Sequence, residues 1–283
     1  MKSTIIIFFL TVLAATAGIT ACKGQEMDEE TTKVQSSHQN REIDWQVLAG
    51  KKIYFGHQSV GNNILEGVRD ILQESSPGVL TIAETHKHPD IAAGTLAHSA
   101  VGKNDDPLSK IESFRTRIEN GLGGNVDIAL FKFCFVDIDS RTDVNVLFEK
   151  YRDTMAELKT KYPRTTFAHC TVPLLGKEKV SLKSWVKRLL GKSDGFFDNR
   201  HNKARNEFNA LLVKEYQGKE PVFDLAGVSS TYPDGSREMF TFNGAEYYAL
   251  VPAYTDDGGH LNKTGRKVVA EQFLLFLADI PLL

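Results

Sequence analysis

Strand-like and helix-like segments alternate along most of this chain, and that order constrains the fold more than any other feature. Short apolar runs are followed at least four times by longer stretches in which apolar residues recur at helical spacing. Parallel strands need a crossover long enough to hold a helix, so this order is typical of a parallel sheet with helices on both faces. The sequence therefore predicts the α/β class.

The individual elements follow from the same patterns. Residues 126–136 are almost continuously apolar, which is typical of a parallel strand buried on both faces. The predicted strands are 52–55, 79–83, 126–136, 165–172 and 222–225, and the predicted helices are 60–72, 107–118, 146–162, 202–216 and 263–277. Residues 90–106, 177–199 and 229–256 are interpreted as loops; the first is long for a connector and is expected to line a site.

The overall composition is that of an ordinary globular protein. The 283 residues carry a net charge of -2, and 41% of them are hydrophobic. This balance gives no electrostatic reason to expect a nucleic-acid partner. The cysteine and histidine spacing does not match a zinc motif, so no cofactor is predicted.

The N-terminus has the features of an export signal. Lys2 precedes an apolar stretch at 5–13 that is too short to span a bilayer comfortably. The ending Ile19-Thr20-Ala21-Cys22 resembles a bacterial lipobox, in which the cysteine is lipidated and becomes the mature N-terminus; a plain secretory signal is the alternative.

Three segments are therefore expected along the chain: a signal peptide at 1–22, a flexible polar tether at 23–45, and a folded domain at 46–283. Lipidation of Cys22 would make the membrane a partner of the protein. It would hold the domain at the bacterial cell envelope, on the outer membrane or the cell surface. The sequence predicts no oligomeric state.

Two short motifs near opposite ends of the domain carry chemistry. Ser59 stands where the first strand gives way to a helix, and Asp257 precedes His260 by three residues. A serine hydroxyl needs an adjacent base to act as a nucleophile, and a histidine base needs an acceptor that orients its ring. Both motifs are expected at the carboxyl edge of the sheet, where sites in such folds lie.

These motifs resemble those of the SGNH (GDSL-type) hydrolase superfamily. The resemblance covers roughly residues 50 to 280, and its strongest part is the Asp-x-x-His-Leu-Asn-x-x-Gly block that begins at Asp257. It implies a flavodoxin-like three-layer α/β/α sandwich with a central parallel sheet. It also implies that Ser59 is the nucleophile, His260 the base and Asp257 the orienting acid. The N-terminal block departs from Gly-Asp-Ser and reads Gly56-His57-Gln58-Ser59.

The resemblance also implies an oxyanion hole with three donors. The first is the backbone N–H of Ser59, and Gly102 is the best candidate for the second, a glycine N–H. The third would be an asparagine after the third strand, but residues 131–137 contain none. Asn104 from the neighbouring loop, or Lys132 as a cation, is a candidate replacement.

Structural roles are open for each of these residues. Ser59 alone could cap the following helix, and Asp257 and His260 could belong to a turn. Asp224 is a second candidate carboxylate. His57 could contact substrate or tune the nucleophile. A metal site among three neighbouring histidines is a less favoured alternative to simple loop histidines. That histidine group comprises His86, His88 and His98.

Aromatic and cysteine residues leave further alternatives. Tyr247, Tyr248 and Tyr254 could stack on sugar rings or pack their loop against the domain. Cys134 and Cys170 could form a disulfide or remain buried thiols.

The motifs together favour a serine esterase that removes acyl groups, acetyl above all, from carbohydrate through an acyl-enzyme. A catalytically weak glycan-binding protein on the same fold and an O-acyltransferase are the alternatives.

Overall fold

Five parallel strands form the central sheet of the protein, in a computed structural model that describes residues 41–85, 91–177 and 197–283. The order across the sheet is β2-β3-β1-β4-β5. The strands are β1 (Lys52–His57), β2 (Thr81–Glu84), β3 (Thr95–Ala100), β4 (Ile128–Phe131) and β5 (Thr166–Phe167).

The sheet continues beyond β5. The chain passes through Ala168, whose N–H donates to the carbonyl of Ala129 at 3.0 Å, into β6 (His169–Cys170). Strand β6 then pairs in parallel with β7 (Val222–Phe223). With the edge strand β2 set aside, the strands lie in the order second, first, third, fourth, fifth, which is the flavodoxin-like order. The predicted parallel sheet is confirmed.

Helices cover both faces of this sheet. The helices are α1 (Trp45–Ala49), α2 (Val60–Ser75), α3 (Pro107–Arg117), α4 (Val144–Lys161), α5 (Asn199–Tyr216), α6 (Leu225–Ser229) and α7 (Lys263–Asp279). The apolar residues of α1, α2 and α7 pack in one core, and those of α3, α4 and α5 pack in another. The result is the three-layer sandwich that the resemblance implied.

Alternation within the strands explains why they are apolar throughout. Ile53 and Phe55 belong to the core under α2 and α7, whereas Tyr54 between them belongs to the other. In β4, Ile128 and Leu130 likewise face the first core while Ala129 and Phe131 face the second. Because both faces are covered, successive side chains are all buried, and no polar alternation marks the strand.

The prediction of a loop at 90–106 is wrong in its middle part. Strand β3 lies there, between β1 and β2, and pairs in parallel with both. Its sequence Thr-Leu-Ala-His-Ser-Ala has small and polar residues, so it lacks the apolar run that marks the other strands. Its place in the sheet comes from packing between neighbours rather than from its own propensity.

The interpretation of 229–256 as a loop also misses a hairpin. Strands β8 (Met239–Phe242) and β9 (Ala245–Tyr248) are antiparallel. Asn243 and Gly244 join them with φ values of 50° and 80°, as in a type I′ turn. The Asn-Gly pair was the signal for it. The predicted strand at 126–136 is shorter in the structure. Strand β4 ends at Phe131, and Phe135–Asp137 form a 3-10 turn instead.

Residues 1–40 lie outside the described part of the chain, so the predictions for Cys22, the signal peptide and most of the tether stay predictions. In the described residues, the helices are all too short or too polar to cross a membrane.

Candidate active site

Ser59 occupies a strained turn at the carboxyl end of β1. Its φ of 51° and ψ of -112° lie where glycine is usual, at the start of α2. Such a conformation costs a non-glycine residue about 1–3 kcal/mol and persists only where its surroundings enforce it. The Ser59 side chain makes no capping hydrogen bond to α2, which leaves its hydroxyl available for other partners.

The structure brings Ser59, His260 and Asp257 together. The Ser59 Oγ lies 2.7 Å from His260 Nε2, and His260 Nδ1 lies 2.7 Å from Asp257 Oδ2. The three side chains thus form a continuous hydrogen-bonded series in the order that serine acyl-transfer chemistry requires. A histidine held at Nδ1 by a carboxylate presents Nε2 as the acceptor for the serine proton.

The Asp257 carboxylate is itself fixed by the turn that carries it. Its Oδ1 accepts hydrogen bonds from the backbone N–H groups of Gly259 and His260, both at 2.8 Å. Desolvation raises the pKa of Asp257, but the hydrogen bonds from the His260 side chain and these two N–H groups outweigh it and lower the pKa to about 2. Asp257 is therefore ionised at neutral pH and able to stabilise a protonated His260.

The two glycines of the turn are required by close packing. Gly258 has a φ of 86°, and a Cβ at Gly259 would lie 2.8 Å from Leu175 Cδ2 and 3.2 Å from the Phe135 ring. Because these two positions carry no side chain, the His260 ring can pack edge-on against Phe135, with ring centroids 5.5 Å apart.

Gln58 belongs to the Gly56-His57-Gln58-Ser59 block that departs from the Gly-Asp-Ser pattern, and it connects the Ser59 turn to the loop after β3. Its side-chain amide donates to the carbonyls of Val101 at 2.8 Å and Gly102 at 2.7 Å. Gln58 thus links the nucleophile turn directly to Gly102, and the same loop carries Asn104.

A pocket with a volume of about 420 Å³ opens beside the three side chains. Apart from Ser59, Asp257 and His260, its walls are mainly apolar, and Asn104 is a further polar residue in them. Its lining consists of Ser59, Asn104, Phe135, Val136, Leu175, Phe197, Asp257, Gly259 and His260. Gly102, the other loop residue predicted for the oxyanion hole, is not part of this lining.

Lys132 is buried away from the pocket. Its Nζ donates to the carbonyl of Phe133 at 3.2 Å and lies 3.6 Å from the Cys134 sulfur. Of the two candidate replacements for the missing asparagine, Asn104 is thus the one that reaches the pocket.

His57 is a buried residue beneath the nucleophile turn. Its Nε2 lies 3.1 Å from Nδ1 of His98. Burial above all, and then the charge of Lys132, lower the pKa of His57 to about 3, so the imidazole is neutral at physiological pH. His57 does not line the pocket, and a direct contact with substrate is not supported.

His86 and His88 lie outside the described residues. Across 41–85, 91–177 and 197–283, no cluster of three or more His, Cys, Asp or Glu side chains is suited to hold a metal ion.

The second candidate carboxylate has a structural role. Asp224 caps α6 by accepting from the Gly227 N–H at 2.9 Å, and it accepts from the Thr171 hydroxyl at 2.9 Å. Cys134 and Cys170 are buried free thiols.

The three tyrosines pack the loop that carries them. The Tyr254 hydroxyl donates to the carbonyl of Thr231 at 3.0 Å. Tyr247 stacks on Phe240, and the Arg237 guanidinium lies 3.7 Å from the centroid of the Tyr248 ring.

No family model and no curated protein matches this sequence. Several solved structures are similar to it. An acetyl xylan esterase has a TM-score of 0.46 and 17% identity, covering 81% of this chain and 100% of its own. A lipase/acylhydrolase from Enterococcus faecalis has a TM-score of 0.46 and 13% identity over 81% and 95% of the two chains. A carbohydrate esterase family 3 structure from Talaromyces cellulolyticus has a TM-score of 0.43 and 13% identity over 80% and 96%.

The strand order and the two helical layers, rather than these distant likenesses, decide the fold. It is a flavodoxin-like three-layer α/β/α fold, the fold that the resemblance to SGNH hydrolases implied. The site lies at the carboxyl edge of its sheet, where the turn after β1 and the turn before α7 meet.

Proposed function

We propose that the protein is a serine esterase that works through an acyl-enzyme. The observation that carries this proposal is the pair of 2.7 Å contacts that join Ser59 Oγ to His260 and His260 to Asp257. Near hydrogen-bond reach between nucleophile, base and orienting acid is the geometric requirement for this chemistry.

In the first half of the reaction, Ser59 Oγ attacks the ester carbonyl carbon while its proton passes to His260 Nε2. The tetrahedral intermediate then collapses, and His260 returns that proton to the departing alcohol oxygen as the C–O bond breaks. Asp257, whose low pKa keeps it ionised, stabilises the imidazolium between these steps. A water molecule activated by His260 then releases the acyl group from Ser59.

The negative oxygen of the tetrahedral intermediate needs donors that are already in place. The proposed donors are the backbone N–H of Ser59, the backbone N–H of Gly102 and the side-chain amide of Asn104. The last of these lines the pocket beside Ser59.

Acyl esters of carbohydrate are the proposed substrates, with acetyl the favoured acyl group. The apolar walls formed by Phe135, Val136 and Leu175 suit an acyl group. The side chains of His260 and Asp257 are 47% and 58% exposed, which suits an ester carried on a larger molecule. Lipidation at Cys22 would place the enzyme at the cell envelope, near surface polysaccharide.

Covalent labelling with a fluorophosphonate probe tests the proposal. The wild type and a Ser75→Ala control, which removes an exposed serine hydroxyl, should both be labelled and should both hydrolyse 4-nitrophenyl acetate. Ser59→Ala should lose both properties. Equal labelling of Ser59→Ala and the wild type would refute the serine-esterase mechanism.

An O-acyltransferase would use the same acyl-enzyme, and the open position of His260 gives a sugar hydroxyl access to it. Adding an excess of glycan to the ester assay separates the two activities. Hydrolysis yields free acetate, whereas transfer yields an acetylated sugar faster than acetate. A glycan-binding protein without catalysis would show neither product at any enzyme concentration.

A further inference from the structure

A fully buried ion pair lies next to the pocket and has no part in the Ser59 chemistry described above. Lys110 Nζ and Asp137 Oδ2 are 2.6 Å apart, and neither side chain is exposed to solvent. Removing two charges from water is costly, so such a pair is poor evidence of a purely stabilising role. The other hydrogen bonds of Lys110 and Asp137 show which parts of the pocket this ion pair holds in place.

Asp137 joins the two loops that flank the pocket. Its Oδ2 accepts from the N–H of Cys134 at 2.6 Å, within the loop after β4. Its Oδ1 accepts from the N–H of Asp105 at 3.1 Å, in the loop after β3. One carboxylate therefore fixes both loops relative to each other and presents its charge to Lys110.

Lys110 in turn holds the side chain of Asn104. Its Nζ donates to Asn104 Oδ1 at 3.0 Å. An ammonium group has only donors, so it selects the amide oxygen of Asn104 as its partner. The Nδ2 end, which carries two N–H donors, is left for the pocket that Asn104 lines. The positive charge also polarises the amide and strengthens those donors.

The backbone conformation of the loop after β3 brings Asn104 close to Lys110. Gly102 has a φ of 59°, and a Cβ there would lie 2.5 Å from the backbone nitrogen of Lys110. Asp105 is one of the few non-glycine residues with a positive φ, at 62°. The two residues bracket Asn104 and bring it against the first turn of α3.

We propose that Lys110 and Asp137 are positioning residues that aim the Asn104 amide at the developing oxyanion. The amide would take the place of the asparagine that the loop after β4 lacks. This inference rests on the proposed serine-esterase function, and it gives the buried Asp137 of that loop a role in it.

The first test removes the donor and keeps the rest of the network. In Asn104→Asp, a carboxylate oxygen still accepts from Lys110, so the variant should fold with an unchanged melting temperature. The N–H donors are gone, so kcat for 4-nitrophenyl acetate should fall about 100- to 1000-fold with little change in KM. Asn145→Asp, at an exposed asparagine on α4, is the matched control and should keep full activity.

The second test concerns the ion pair. Lys110→Met alone would leave Asp137 charged and unpaired, so the informative variant is Lys110→Met/Asp137→Asn, which removes both charges together. We expect kcat to fall at least 10-fold with KM unchanged. In an Asn104→Ala background the same double change should cause no further loss, because the donor that it orients is already absent.

Full kcat in Asn104→Asp would overturn the proposal, whether or not the ion-pair variant folds. So would a loss from Lys110→Met/Asp137→Asn that is equally large with and without Asn104, since that would mean a merely structural role. Ser59→Ala separates these outcomes from a failure of the esterase function itself. If it abolishes labelling while Asn104→Asp keeps full activity, the function stands and the positioning role fails.

Discussion

The hydroxyl oxygen of Ser59 lies 2.7 Å from Nε2 of His260, although the two residues are 201 positions apart in the sequence. The packing of α2 against α7 produces this contact, because each residue lies at or just before the start of one of these helices. A Cβ on Gly67 of α2 would come within 2.5 Å of the backbone oxygen of Arg266, so the helices pack as closely as a glycine allows.

The carboxylate of Asp257 should be essential for activity because it orients His260. Asp257→Asn replaces the acceptor that holds His260 Nδ1–H, so the histidine loses its orientation and its preferred tautomer. We expect kcat to fall by up to about 10⁴-fold, the loss found for the same change in a serine protease. Steady-state kinetics should show no such loss for Asp256→Asn, the neighbouring control. Comparable losses in both variants would argue against a special role for Asp257.

The side chain of Gln58 should be sensitive to charge rather than to size. Gln58→Glu keeps the shape but turns a carboxylate towards the carbonyl oxygens of Val101 and Gly102, which then repel it. We expect a loss of about 1–3 kcal/mol in the free energy of unfolding, together with reduced kcat. Urea denaturation measures the first. Gln73→Glu, at an exposed position on α2, should change neither quantity, and an unaffected Gln58→Glu would show that the loop is held by other contacts.

Glycine at position 102 should be required for space as well as for its backbone angle. Gly102→Ala and Gly124→Ala both place alanine at positive φ, 59° and 81°, which costs about 1–2 kcal/mol in each case. A Cβ at Gly124 meets open space, but one at Gly102 meets the backbone of Lys110 at 2.5 Å. Overpacking should add about 1–3 kcal/mol at Gly102 alone. Thermal unfolding of both variants tests this, and equal losses would contradict it.

His57 should make the protein less stable in acid. Its pKa is about 3 in the folded protein, because of burial and then the nearby charges of Lys132, His98 and Arg69, whereas the usual histidine value is 6.5. Between pH 6.5 and 3 the unfolded chain therefore binds the additional proton. The stability associated with a neutral His57 is fully present above pH 6.5 and is lost as the pH falls towards 3.

The measurement compares the wild type with His57→Gln by urea denaturation across pH 3 to 7. The difference in unfolding free energy should shift with a slope on the order of 1 kcal/mol per pH unit below pH 6.5 and level off above it. Parallel pH curves for the two proteins would mean that other groups dominate acid unfolding.

The order of strands and helices was readable because apolar periodicity is local. Residues 60–72 and 263–277 were predicted as helices and lie within α2 and α7. Strand β3 was not readable: Thr95–Ala100 has little apolar character, and only its neighbours β1 and β2 give it a place in the sheet. The hairpin of β8 and β9 was missed although Asn243-Gly244 marks its turn.

The candidate site also combines features that the sequence predicted with features that only the structure shows. Residue types and their spacing within each motif singled out Ser59 as a candidate nucleophile, His260 as a candidate base and Asp257 as a candidate orienting acid. Their distances depend on the packing of α2 against α7, and the orientation of Asn104 depends on Lys110 and Asp137. The sequence by itself determined which side chains are candidates for acyl-transfer chemistry and where the long helices α2 and α7 form. Only the tertiary structure decided which groups meet, because contacts between residues far apart in the chain arise from packing that no local pattern encodes.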